Sequence, residues 1–294
     1  MATEAGAPSL AVLIDADNAN RKYAKAIFDE IAKLGEANVR RIYGDFSSPH
    51  LAGWNDTVQT LAILQHQQRN NTRGKNAADI ALVIDAMDLM HKGKLDGVCL
   101  VSSDSDFTRL SQRLREEGLK VYGFGERKTP EAFRNACTRF IYVENLGPDT
   151  PDDVKPDAGP APEPASASPA PPAEAPGRAT RSPAAARAAR KPAPAAPAPA
   201  VPTPAVPAAI EPTSKAVPII MKAMTGLEDD DGWVGLSGVG SRITMIAPDF
   251  DTRTYGHSKL KELVEKCGGF ELRAAGGTGW EIRQKNPKKK TARK

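Results

Sequence analysis

Nineteen of the 25 prolines in this 294-residue chain fall between Pro148 and Pro212, in stretches such as KPAPAAPAPAVPTPAVPAA. Proline lacks a backbone donor and locks φ, and alanine adds little surface to bury. Such a run cannot build a core and is expected as an extended, partly polyproline-II linker. The chain therefore divides into an N-terminal domain over 8–146, a linker over 147–212, a C-terminal domain over 213–285 and a basic tail over 286–294. Within the linker, SPAAARAARK is alanine-rich enough for a transient helix that its bounding prolines keep short.

With 40% hydrophobic residues, the rest of the chain can form one good core and a second small one. No apolar run approaches the length of a bilayer span, and MATEAGAPSLAVLID lacks a basic stretch followed by a cleavable apolar one, so a cytoplasmic protein is expected. Cys99, Cys137 and Cys267 are far apart, which indicates neither a disulfide framework nor a zinc site, and Cys99 in GVCLVSS is expected in the core. Formal charge is 0 over 1–146, −1 over 147–212 and +5 over 213–294. A basic C-terminal segment favours polyanions through counterion release, although the last residues, KNPKKKTARK, taken alone read as a solvated tail.

In the first domain LAVLID, VRRIYGDF, GVCLVSSD, LKVYGFG and RFIYVEN have the short, β-branched character of strands. Between them YAKAIFDEIAKLG, ADIALVIDAMDLMHKG and FTRLSQRLREEG read as helices stopping at glycine. The second of these is expected to bury Ile80, Val83, Ile84 and Met87. WNDTVQTL is read as a helix and AILQHQ as a short strand after it, on a weaker pattern. Strands alternating with helices imply a Rossmann-like α/β domain, a parallel sheet with helices on both faces.

Functional groups in such a sheet collect beyond the carboxyl ends of the strands. Asp15 ends the first strand in LIDADNAN, Asp104 and Asp106 follow GVCLVSS, and Asp79 lies on the middle helix. Carboxylates brought together repel, and a divalent ion relieves the repulsion. Mg²⁺ or Mn²⁺ needs only one or two carboxylates, with water and phosphate completing the shell, so Asp15, Asp79 and Asp104 with the Asn18 amide suffice. A capping role is open for each acid in turn: Asp104 or Ser105 for the helix near Phe107, Asp17 or Asn18 for the one near Tyr23. Capping does not explain Asp79. Asp85 is rotated from Asp79 by about 240° net and falls outside the pocket, and Asp88 reads as surface charge. Arg73, Lys75 and Asn76 suit either a phosphate backbone or a solvated loop.

These blocks, Ile14-Asp15-Ala16-Asp17-Asn18, Lys75 to Asp79 and Ser102 to Phe107, resemble the motifs of the NYN domain family of PIN-like nucleases, especially LabA-like members, over most of residues 9–145. The resemblance implies metal-dependent endonucleolytic cleavage of RNA, with Asp15, Asp79 and Asp104 as metal-binding acids, Asn18 as the supporting amide and Asp106 as an additional acid. Asn76 and Ser103 stand where glycine is common in relatives, which alters the loops and leaves the acids in place.

The C-terminal domain resembles the OST-HTH or LOTUS family, a winged-helix-like module, through YGHSKLKELVEKCGGFELR and GTGWEIR. LKELVEKC offers Leu260, Leu263, Val264 and Cys267 as a core face, Lys259, Lys261 and Lys266 add charge, and FELR and WEIR read as paired strands. The family implies binding of structured or G-rich RNA, or in some members of proteins. Tyr255 and Trp280 are the candidate base-stacking aromatics, with Trp280 expected in the core instead and Trp233 open between the two roles. Three functions follow: a metal-dependent ribonuclease with a tethered RNA-binding module, a non-catalytic RNA-binding scaffold, or a haloacid-dehalogenase-like phosphatase with Asp15-Ala16-Asp17 as its DxD. Ala19 stands where the phosphatase pattern expects Thr or Val.

Overall fold

The computed structural model describes residues 6–68, 76–147, 210–229, 231–275 and 279–285. Arg73 and Lys75, most of the proline-rich segment and the basic tail lie outside them.

The strand-like runs of the first domain form β1 (Ser9–Asp15), β2 (Glu36–Gly44), β3 (Leu64–Gln67), β4 (Gly97–Val101), β5 (Lys120–Gly125) and β6 (Arg139–Tyr142). All pair parallel, in the order β3-β2-β1-β4-β5-β6. Side chains alternate across the central strand: Leu10, Val12 and Ile14 enter one core with α1 (Ala24–Ile31) and α2 (Trp54–Thr60). Ala11 and Leu13 enter the other with α3 (Ala77–His91), α4 (Thr108–Glu116) and α5 (Glu131–Ala136). Helices therefore cover both faces, as a parallel sheet requires. α3 and α4 end at Gly93 and Gly118, whose φ values of +63° and +87° side chains with a Cβ rarely adopt. AILQHQ does contribute a strand, the edge strand β3, whereas α5, only six residues long, has too few positions to show a helical period.

The buried face of α3 differs from the expected one. Ala78, Leu82, Ala86, Leu89 and Met90 are buried, while Ile80 and Ile84 are 60% and 57% exposed. Apolar residues surround this helix almost completely, so periodicity selects no face. The small side chains of Ala78 and Ala86 instead let it pack on Ala11, Leu13 and Tyr43 of the sheet.

The C-terminal domain consists of α6 (Ala216–Met224), β7 (Val234–Gly235), α7 (Leu236–Ile246), α8 (Leu260–Cys267), β8 (Phe270–Ala274) and β9 (Trp280–Gln284). Its antiparallel sheet has the order β7-β9-β8. Ile220, Val239, Ile243, Leu263, Val264 and Ile282 form its core. Pro218 is tolerated in α6 because the first turn has no intrahelical acceptor for its missing amide. Arg273 opposes Glu281 and Arg283 opposes Glu271 across β8 and β9, each pair 2.6 Å apart. No helix among the described residues is long and apolar enough to cross a membrane.

Candidate active site

Strand order reverses beside β1, where β2 lies on one side and β4 on the other, so the crevice beyond their carboxyl ends is the topological switch point of the sheet. Asp15 is the last residue of β1 and 1% exposed. Its carboxylate accepts from the Asn18 amide (2.9 Å), the Ser102 hydroxyl (2.8 Å) and the Asp17 backbone amide (3.1 Å). Burial pushes the Asp15 carboxyl up, and the bonds from Asn18 and Ser102 partly offset that rise.

Ser102, just past β4, joins the two halves of the crevice: its hydroxyl donates to Asp15 and accepts from the Asp104 amide at 3.0 Å. The end of β5 lies close against it, since a Cβ on Gly125 would meet the Ser102 carbonyl at 2.7 Å. The hydroxyl of its neighbour Ser103 accepts from the Glu126 amide instead. Asp104 does cap, accepting from the Asp106 amide at 2.9 Å at the start of the short 3₁₀ turn Ser105–Phe107, and stays partly exposed toward the crevice. Asp17 and Asn18 do not cap the next helical turn. Asn20 accepts from the Lys22 amide there, leaving Asn18 to orient Asp15.

Asp79 lies in the first turn of α3. Burial, followed by the charges of Asp15, Asp104, Asp17 and Asp106, pushes its pKa up to about 6. The acids predicted from three separate sequence blocks thus act on one another electrostatically. Asp17 is raised as well, by burial and then by Asp15 and Asp45. Asp85 is engaged elsewhere: it pairs with Arg41 and accepts from the Tyr43 hydroxyl. Burial raises its pKa, but those bonds outweigh the effect and hold it below the usual carboxylate range. Carboxylate oxygens are the donors that a divalent ion takes one or two of, with water and phosphate completing its shell. Among the described residues no three His, Cys, Asp or Glu side chains form a ready-made cage for an ion.

Beside the loop that follows β1 lies a groove of about 590 Å³, lined by Asp17, Asn18, Arg21, His50, Trp54 and Lys128 among others. Arg21, His50 and Lys128 were not singled out by the sequence, because they come from three unconnected loops.

In the C-terminal domain the two candidate aromatics exchange roles. Tyr255 is 8% exposed and packed against Phe250, so its face is not open to a base. Trp280, expected in the core, is 36% exposed, with the Lys261 ammonium 3.5 Å from its ring centroid. It shares the face of Ile282 but starts the strand, at the margin of the core beneath α8. Lys259 is exposed at the head of that helix. Trp233 is buried, with the Arg273 and Arg283 guanidinium groups 4.2 and 4.6 Å from its ring centroid.

Residues 9–144 match the NYN domain family and residues 211–282 match the OST-HTH/LOTUS domain family. A crystal structure of a protein of unknown function from Vibrio parahaemolyticus aligns with 18% identity and a TM-score of 0.42, over 48% of this chain and 96% of that one. No curated protein matches the chain.

Proposed function

We propose that this chain, an NYN domain followed by an OST-HTH/LOTUS domain, is a metal-dependent endoribonuclease with an RNA-binding module. The observation that supports the reading is that Asp15 ends β1 at the switch point and that Asp79, in the first turn of α3, is raised by burial and then by the charges of Asp15 and Asp104 among others. Asp15, Asp79 and Asp104 would hold Mg²⁺ or Mn²⁺, which when bound polarises the phosphoryl oxygen and lowers the pKa of water.

The protein's own part is to place the groups. Ser102 and Asn18 hold the Asp15 carboxylate in one orientation, and Ser102 ties the Asp104 backbone to it. Asp106 adds an acid at the mouth, and Arg21, His50 and Lys128 offer donors to phosphates of a strand lying in the groove. Trp280 with Lys261, and Lys259 beside them, form the surface on the second domain on which an unpaired base can stack and its phosphate be met.

The test is incubation of single-stranded, duplex and G-rich RNA with wild-type protein and Asp104→Asn, each with Mg²⁺, Mn²⁺ or a chelator. Cleavage by the wild type alone, and only with metal, supports the reading; full activity in Asp104→Asn rejects it. RNA bound but uncut under every metal would make the protein an RNA-binding scaffold. Trp280→Ala is expected to weaken RNA binding by roughly 1–3 kcal/mol, read by fluorescence anisotropy in chelator, where cleavage cannot contribute.

A further inference from the structure

Described residues on either side of the proline-rich segment fall in one compact unit, and the contacts that join them are polar and specific. Glu30 on α1 is 5% exposed, and the Arg253 guanidinium donates to both of its oxygens, at 3.1 and 3.2 Å. The same guanidinium bridges to Asp251 at 2.6 Å, and Arg139 stands 3.8 Å from Glu30. One strand away, Arg134 pairs with Asp249, and the Tyr142 hydroxyl donates to that carboxylate at 2.7 Å. The outward amide of Phe140, on the edge strand β6, donates to the Pro248 carbonyl at 2.8 Å. An edge strand left open is a site for unwanted pairing, and here the second domain satisfies it.

Thr254 adds a geometric fact. Its hydroxyl accepts from Asn145 at 2.9 Å, and its carbonyl accepts from the Glu211 amide at 2.9 Å. The N-terminal domain is left just after Asn145 and the C-terminal domain is entered at Glu211. Asn145 and Glu211, which lie on either side of the 148–209 segment in sequence, thus bond to the same residue.

We infer that residues 248–254 are a docking segment that holds the OST-HTH/LOTUS domain on the α1 and β6 surface of the NYN domain without help from the covalent connection. Each buried acid at the seam has its arginine partner, and pairing of that kind selects one orientation, because a slipped interface leaves a desolvated charge alone. A flexible tether would raise only the effective concentration of the second domain, whereas a docked one keeps Trp280 and Lys261 at a constant distance from the acids. The inference stands whether or not RNA is cut.

To test it, a specific protease site is inserted in the proline-rich segment of the full chain, the protein is cleaved, and the fragments are followed by size-exclusion chromatography at low ionic strength. Wild-type fragments are expected to co-elute. Arg253→Glu should weaken their association about tenfold or more, and Arg253→Lys, which keeps the charge, should weaken it less. Arg134→Glu with its exchange partner Asp249→Arg provides a second pair, used if circular dichroism shows that an Arg253 variant has not folded. Separate elution of the wild-type fragments overturns the proposal, as does co-elution unchanged by both single reversals.

Discussion

Two groups of acids lie in this molecule, and their proton affinities move in opposite directions. At the switch point Asp15, Asp17 and Asp79 are raised, first by burial and, for Asp17 and Asp79, then by one another's charges. At the seam Glu30 and Asp251 feel the same upward push of burial, but hydrogen bonds from Lys33 and Arg253 to Glu30, and from Arg253 to Asp251, hold both below the usual carboxylate range. The chemistry of the side chains is identical, and the difference is the cation. An acid given its arginine within the chain is satisfied and structural. Acids assembled without one are held at a cost that a bound divalent ion and phosphate can relieve.

The sharpest way to break this comparison is catalytic. Asp15→Asn is expected to reduce RNA cleavage by about 100-fold or more with the fold intact, measured by gel assay beside circular dichroism, whereas Glu30→Gln should leave the cleavage step within a few fold. Stability should separate the groups next. Glu30→Ala leaves Arg253 with Asp251 alone and should destabilise the protein by about 2 kcal/mol, seen as an earlier urea midpoint. Asp79→Asn, in chelator at neutral pH, removes a charge held against its neighbours. It should stabilise by on the order of 1 kcal/mol, a figure reduced from the size of the shift because the group is partly solvated. Destabilisation by Asp79→Asn would show that the acids at the switch point are not in mutual repulsion.

The smallest expected effect is in pH. Glu30 and Asp251 have folded values below their unfolded ones of 4.5 and 3.8, so their stabilisation is complete above those values and is lost as pH falls through the folded ones. Lys33, Arg139 and Arg253 face these acids. Association of the linker-cleaved fragments should therefore be flat from neutrality to about pH 5 and weaken below about pH 4, with the acid limb diminished in Glu30→Gln.

Much of this was legible from residues in order. Alternation of β-branched runs with amphipathic helices implied the parallel sheet, because the strand period of two and the helix period of 3.6 leave different marks. α1 buried the face its spacing indicated. α3 did not, since a helix apolar on nearly every side carries no phase, and the choice fell to which side chains were small enough to approach the sheet. The acids and Ser102 were readable as motif positions, but the link that the Ser102 hydroxyl makes between Asp15 and the Asp104 amide was not. Tyr255 and Trp280 were assigned the wrong way round because burial at the rim of a small domain depends on what lies across from the ring.

By itself, then, the sequence determined the fold class and the likeness of its two halves to known domain families, which follow from periodicity, composition and motif spacing. Tertiary structure alone decided which acids receive an arginine from among the described residues. Arg253 and Glu30 are more than two hundred positions apart, and a pairing at that separation leaves no pattern along the chain. It exists only once two cores have formed and brought their surfaces together.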